Sequence, residues 1–389
     1  MYTGPKLTND DLVFGYDTGY GVADNATSTR FYPGEPTTNL YTNSDFSNNG
    51  AGWTFSSWDG NISHAAATLE GPYGEIVSAR KLTVNAASSY SHFHQYNGSK
   101  YASGNTYTTS AWVKGNGVFQ IKSHWGGNVS LTLTGEWQRI SQTVTASTSA
   151  SNNFPYLAGE SLTVGTDCYV TMCQTELKGN ATPYVHSGST TGSRSNTTSL
   201  IDLKGETDIN VSSVSFTSTG QPDFDGTDDE IQIASSDWNK VTQVTVEAIV
   251  LVKGTPIDGN GYHVVAQKDG AYSGGSVYGI RISGANVPYG VFSKDSTQAG
   301  THINTVAGTT MTTNKYYHLV YTRKVGESVF YQNGEQKSIN TSSNDVIYNN
   351  TSTFTIGQGD GRQLYGNIPV LKVHNSVLSA TEIADNFNA

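Results

Sequence analysis

Clusters of Gly, Asn, Asp, Ser and Pro break this chain roughly every 8–12 residues, and between them Tyr, Val, Ile, Phe or Trp alternates with Thr, Ser or Gln. Tyr107 to Lys114, Gln138 to Thr145, Thr242 to Val252 and Tyr316 to Arg323 are examples. Segments of this length and period suit half-buried strands, whereas a helix needs an apolar stripe recurring about every 3–4 residues over a longer stretch. The composition agrees. Only 14% of residues are charged, and 42 Gly and 23 Tyr stand among abundant Ser, Thr and Asn. An all-β fold is expected, because Thr, Val, Tyr and Phe pack well on a pleated surface and the polar residues supply its turns.

With 389 residues the chain has room for more than one core. We expect two antiparallel β-sandwich (jelly-roll) domains. Residues 1–38 hold one isolated strand, at 11–17, and then a Gly/Asn/Thr/Pro-rich passage. A first series of strands fills 39–186, a Gly/Ser/Thr-rich linker is expected at 187–199, and a second series fills 200–389. One short C-terminal helix closes the chain over Ser379 to Phe387: Ser379 can cap it, Glu382 holds the capping-box position, and Ile383 and Phe387 share a face.

A net charge of −10 without clustered Lys and Arg argues against nucleic acid and anionic membranes as partners, and leaves neutral partners such as glycans. No stretch reaches the roughly 20 apolar residues of a membrane span, and Met1 to Asp11 lacks the pattern of a secretion signal, so a soluble protein without classical export is expected. Cys168 and Cys173 lie five positions apart in one strand-like run. Strict alternation would point them to opposite faces, as free buried thiols rather than a disulfide.

Across roughly residues 200–389, four ordered blocks resemble the laminin-G/concanavalin A-like family. Phe224-Asp225-Gly226-Thr227-Asp228-Asp229-Glu230-Ile231 resembles its strand entry, and Val244-Thr245-Val246-Glu247-Ala248-Ile249-Val250 its inner strand, with Ile249 at the usual Trp position. Tyr317-His318-Leu319-Val320-Tyr321-Thr322-Arg323 and Val329-Phe330-Tyr331-Gln332-Asn333-Gly334-Glu335 resemble its hairpin, and Phe354 to Gly357, Tyr365 to Ile368 and Leu378 to Ile383 its closing strand and helix. Asn333-Gly334 is independently a type I′ turn signal, since both central residues of that turn need φ > 0.

Residues 39–195 resemble a phage-type carbohydrate-binding-module jelly roll. The resemblance rests on Asn39 to Phe46, Tyr107 to Lys114, Glu136 to Ser141, and an ending made of Gln174-Thr175-Glu176-Leu177, Ala181-Thr182-Pro183-Tyr184-Val185 and Arg194, with Thr175 as an extra residue. Phage relatives of the sandwich family place an opening strand like Leu12 to Asp17 shortly before a turn like Asp202-Leu203-Lys204-Gly205. Here the jelly-roll segment separates the two, so the jelly roll is expected to be inserted into the sandwich, with 11–17 as the sandwich's first strand.

Together the resemblances imply a non-enzymatic surface protein of a tailed-bacteriophage virion, a fibre, decoration or tail-adhesin component made in the cytoplasm of the bacterial host. Its implied partners are other virion proteins and host-surface polysaccharide, and a homo-oligomer is expected because virion sites are symmetric. A cellular lectin or adhesin is the alternative, and a polysaccharide depolymerase a further one. Glycosidases on this scaffold space their carboxylates as Glu-x-Asp-x-x-Glu; here Glu206-Thr207-Asp208 begins that spacing, but Val211 stands at the third position.

Aromatic side chains can pack against the C–H faces of sugars, and polar neighbours can meet the hydroxyls. Trp58 and Trp125, beside turn-like sequences, and Tyr90 and His94, on one strand, are the carbohydrate-binding candidates, while Trp112 and Trp137 are expected in the core. His92 and His94 would share a strand face with Tyr90 and Tyr96. Asp225, Asp228 and Asp229, with Asp360 between Gly359 and Gly361, offer the oxygen ligands that Ca²⁺ takes, although short Asp-rich runs also cap turns.

Overall fold

The computed structural model describes residues 11–19, 22–23, 30–57, 59–96, 100–147, 155–257, 261–269, 276–294 and 302–388. It is built of antiparallel strands with one short C-terminal helix. The chain divides into two compact units: one comprises Met1–Gly21, Pro33–Glu35 and Asn196–Ala389, the other Val22–Tyr32 and Pro36–Ser195.

The second unit is a jelly roll of two five-stranded sheets. One runs in the order Asn128–Thr134, Asn116–Ser123, Pro155–Leu162, Ser91–His94, Thr54–Ser57; the other in the order Gln138–Thr145, Thr106–Lys114, Asp167–Glu176, Ile76–Val84, Ile62–Glu70. Alternation sends one side of each sheet inward, and Leu82, Phe93, Val113, Phe119, Ile121, Leu157 and Val170 meet as a core. Cys168 and Cys173 both belong to that core, contrary to the expectation of opposite faces. The strand carries a bulge between Thr171 and Gln174, with Met172 at φ +50°, which resets the alternation; both cysteines are free thiols. Trp112 and Trp137 are half-buried rather than core residues. Trp112 stacks edge-on against Tyr73, and the Trp137 indole donates to the Glu70 carbonyl.

The Gln174 to Arg194 ending is a clasp. Buried Glu176 accepts from the backbone N and Oγ1 of Thr182 at 2.9 and 2.8 Å, and Gln174 donates to Glu176 at 2.7 Å while accepting from the Val185 backbone. Arg194 donates to the carbonyls of Tyr32 and Pro183, both at 3.1 Å, and to Thr182 Oγ1. Gly192–Arg194 pairs with Thr37–Asn39, and Ser187 and Arg194 are buried. Residues 187–195 are therefore no free linker: Gly192–Arg194 pairs with the start of the same unit, and from Asn196 onward the chain belongs to the other unit. Tyr32 packs with Val77, Met172 and Tyr184, so this unit also reaches outside the 39–186 span on its N-terminal side.

The first unit is a sandwich. Its larger sheet runs Ser215–Phe216, Pro222–Asp225, Tyr365–His374, Val244–Val252, Tyr316–Lys324, Glu327–Gln332, Glu335–Asn340; the smaller runs Ile231–Ile233, Phe354–Ile356, Tyr262–Asp269, Ser276–Ser283, Pro288–Ser293, His302–Ala307. Leu12–Asp17 lies antiparallel to Tyr365–His374, with Tyr16 opposite Leu371, and buries Phe14 and Tyr16 in the sandwich core. Asn333 and Gly334 turn the hairpin with φ +54° and +74°, the pair that a type I′ turn requires. The helix covers Ala380–Asn388 and starts from a capping box: the Ser379 backbone N donates to Glu382 Oε2 at 2.7 Å, and the Glu382 backbone N donates to Ser379 Oγ. No helix among the described residues is long and apolar enough to cross a membrane.

Candidate functional site

Ser91–His94 runs between Pro155–Leu162 and Thr54–Ser57. Phe93 faces the jelly-roll core opposite Leu157 and Phe55, so the residues at alternate positions, Tyr90, His92, His94 and Tyr96, fall on the other face. Their rings form a continuous ladder: Tyr90 to His92 4.6 Å, His92 to His94 5.2 Å, and His94 to Tyr96 4.8 Å between centroids. Tyr156 on the neighbouring strand lies 4.7 Å from His92 and 5.5 Å from His124. Lys122 and Glu160 form an ion pair on the same sheet.

The ladder has buried centres and an accessible end. His92 and His94 are 5% and 3% exposed, whereas Tyr96 is 63% exposed. Burial, then Lys122 and His124, pushes His92 down to about 4; burial, then His92 and His124, does the same to His94. Both are neutral near pH 7, and a neutral imidazole offers one donor and one acceptor. His92 Nδ1 has no hydrogen-bond partner among the described residues. Ring surface on which a sugar could stack is offered by the ends of the ladder, exposed Tyr96 and half-buried Tyr90.

Of the four carbohydrate-binding candidates, the structure brings Tyr90 and His94 together. Trp58 lies outside the described residues. Trp125 is half-buried against Tyr101 and Tyr107, at 5.1 and 6.2 Å, in a separate small cluster, and is not part of the ladder. Tyr156 and His124 escaped the sequence reading because only strand register sets them beside His92. The alternation Tyr90-x-His92-x-His94-x-Tyr96 was the legible signal.

The acidic residues separate. Ligand oxygens of Asp225, Asp228 and Asp229 lie within 4.8 Å of one another. Asp229 accepts from the Asp225 backbone at 2.9 Å, and Asp225 accepts from that of Thr227 at 2.7 Å, so two of the three carboxylates close their own turn. Burial, with Asp225, Asp228 and Asp223 nearby, raises Asp229 to about 6. Oxygen donors of this kind suit Ca²⁺ in type, yet their geometry is explained by the turn itself. Asp360 does not join them: it pairs with Arg362 at 3.0 Å and accepts from the Tyr262 hydroxyl at 3.4 Å.

Residues 224–384 match the family model of the concanavalin A-like lectin/glucanases superfamily. The C-terminal part of the chain thus carries a concanavalin A-like lectin/glucanase domain. No curated protein matches the chain. Among solved structures, the chain is similar to the binding domain of Paraclostridial Mosquitocidal Protein 1 (12% identity, 49% of each chain covered, TM-score 0.38). It is also similar to domain 4 of AbnA, an extracellular GH43 arabinanase from Geobacillus stearothermophilus in complex with arabinotriose (14% identity, 48% of this chain and 82% of that one, TM-score 0.31). A third likeness is to the Trypanosoma rangeli sialidase in complex with sialic acid (14% identity, 84% of this chain and 62% of that one, TM-score 0.38). The chain spans about half the length of the first of these, at 49%.

Proposed function

We propose that this chain is a carbohydrate-binding surface protein whose glycan platform is the Tyr90–His92–His94–Tyr96 face of the jelly-roll unit. The observation that carries the reading is the ladder itself, with neutral buried imidazoles between tyrosine rings and an exposed Tyr96 at one end. Binding rather than cleavage is favoured because Val211, at the position where a third glycosidase carboxylate would stand, is a buried core residue. The finer role we propose, from the phage-type Gln174 to Arg194 ending, is a fibre, decoration or tail-adhesin component of a virion, present as a homo-oligomer and engaging host-surface polysaccharide.

A bacterial glycan array probed with the full chain tests the platform. Binding to a subset of glycans is expected, with Tyr96→Ala about tenfold weaker and its melting temperature unchanged, the magnitude expected for an exposed stacking ring. Equal binding by Tyr96→Ala would remove the ladder from the account. Gold-labelled antibody on purified phage tests the location, and absence from every particle would sink the virion role. Loss of binding on chelation would shift the reading to a calcium-dependent lectin.

A further inference from the structure

Ile62–Glu70 ends the strand order of its jelly-roll sheet and, among the described residues, pairs only with Ile76–Val84, in a ladder without a bulge over all nine residues. Which of its backbone groups face outward follows from the pairing. Opposite Ile62, Val84 donates its N–H to the Thr166 carbonyl at 3.1 Å, and its own carbonyl accepts from the Gly165 N–H at 2.8 Å, both on the side away from Ile62. Asn61 accepts from the Asn85 N–H at 2.8 Å, and beyond the other end Gly71 donates to the Glu75 carbonyl at 2.7 Å. Bonded and unbonded pairs alternate along an antiparallel ladder. The odd-numbered residues therefore bond to Ile76–Val84, and the N–H and C=O of Ile62, His64, Ala66 and Thr68 point to the free edge. None of these groups has a hydrogen-bond partner among the described residues. Glu70 points the same way, but its carbonyl already accepts from the Trp137 indole at 2.8 Å.

A row of unpaired N–H and C=O groups is a template for a further strand, and folded proteins guard such edges with charge, Pro, a bulge, short length or a covering segment. Ile62 to Leu69 contains no Asp, Glu, Lys, Arg or Pro. Burial, then Arg80, holds the His64 imidazole below its ordinary range, so it too is uncharged near pH 7. Ser63, His64, Ala65, Ala66 and Thr68 are exposed. Other edges of the described residues are guarded. Glu335–Asn340 carries the Lys337–Glu335 ion pair and a bulge, and its Ser338 hydroxyl donates to the Ala307 carbonyl and accepts from the Ala307 N–H. Along Asn128–Thr134, the Thr134 N–H is met by the Gln138 side chain, and Thr54–Ser57 is only four residues long.

We infer that the free edge of Ile62–Glu70 binds the same edge of a second copy of this chain, antiparallel about a twofold axis at Ala65. The edge is its own complement in that register. Ile62 of each copy falls opposite Thr68 of the other, and His64 opposite Ala66, so every one of the outward N–H and C=O groups finds a partner while Glu70 stays outside the ladder. Between these bonded pairs, Ala65 meets Ala65 and Ser63 meets Ala67. Small side chains stand opposite one another, and no like charges are opposed. The contact is isologous and closed, as a twofold dimer requires, and joins two five-stranded sheets into one. It supplies the surface for the homo-oligomer of the proposed function and rests on that reading for the identity of the partner; the glycan platform plays no part in it.

Sedimentation of the full chain over a range of concentrations should show a reversible monomer–dimer equilibrium. Ala66→Pro removes an outward N–H and no bond to Ile76–Val84, a position where an edge strand tolerates Pro. It should weaken the dimer about tenfold or more, since two bonds are lost per dimer, and leave the melting temperature unchanged. Under mild oxidation Ala65→Cys should form a disulfide-linked dimer, because facing residues of an unbonded pair lie about 4.5 Å apart between Cα atoms, within disulfide reach. Ala67→Cys, which would face Ser63, should not. Hydrogen exchange on the unmodified chain gives a readout without substitution. Amides of Ile62, His64, Ala66 and Thr68 should gain protection as concentration rises, while those of Ser63, Ala65, Ala67 and Leu69 are protected throughout. A chain that stays monomeric overturns both the edge and the homo-oligomer. A dimer that is equally tight in Ala66→Pro, or that cross-links through Ala67→Cys and not Ala65→Cys, overturns the edge and keeps the homo-oligomer. Glycan binding through Tyr96 is decided separately by the array.

Discussion

At the scale of single residues, His92 and His94 combine two demands that usually conflict. Neighbouring rings bury them deeply enough to keep them uncharged, while His92 Nδ1 has no hydrogen-bond partner among the described residues. The cost should be visible in the pH dependence of stability. Both titrate near 4 in the folded chain against 6.5 for an ordinary histidine. Between those values the unfolded chain binds protons that the folded chain does not, so stability is complete above about pH 6.5 and declines as pH falls toward 4, by on the order of 1–3 kcal/mol per histidine. Thermal melts across that range should show the decline, and His92→Gln/His94→Gln should flatten it; an equal slope in the variant would assign the effect elsewhere. The His-x-His pair was legible in the sequence as a face shared with Tyr90 and Tyr96. Its burial was not, because that depends on Tyr156 and His124, which reach it through register.

Elements show a similar division. Turn chemistry at Asn333-Gly334 and the capping box at Ser379 and Glu382 are local, so the sequence carries them in full. The bulge at Met172 is not local in this sense: no Gly or Pro marks it, and it changed which face Cys173 occupies. The Gly/Ser/Thr-rich passage 187–199 misled for another reason. Composition suggests a connector, but Arg194 draws the passage back onto Thr182, Pro183 and Tyr32. Arg194→Ala leaves buried acceptors unmet and should destabilise the jelly-roll unit by about 2–3 kcal/mol, seen as a lower urea midpoint. A midpoint within error of the parent would show that the clasp is dispensable.

Over the whole molecule, the all-β class was readable from the spacing of short strands, and the concanavalin A-like domain from four ordered blocks. The buried Glu247, which accepts from His318 and Asn386, was not readable as a cluster, since the three come from two strands and a helix. The first strand joins distant parts of the chain: Phe14 is fully buried and stacks on Trp238 at 5.0 Å. Phe14→Ala should therefore cost the sandwich unit about 3–5 kcal/mol and leave the jelly-roll transition where it is, two outcomes that calorimetry can separate. A shift of the jelly-roll transition instead would contradict the assignment of that strand. The glycan platform is tested most directly by following the imidazole ¹⁵N signals of His92 and His94 while the full chain is titrated with the strongest array oligosaccharide. The account predicts that both move in a saturable way, with the midpoint matching the affinity. Signals that stay fixed while the oligosaccharide binds would contradict it.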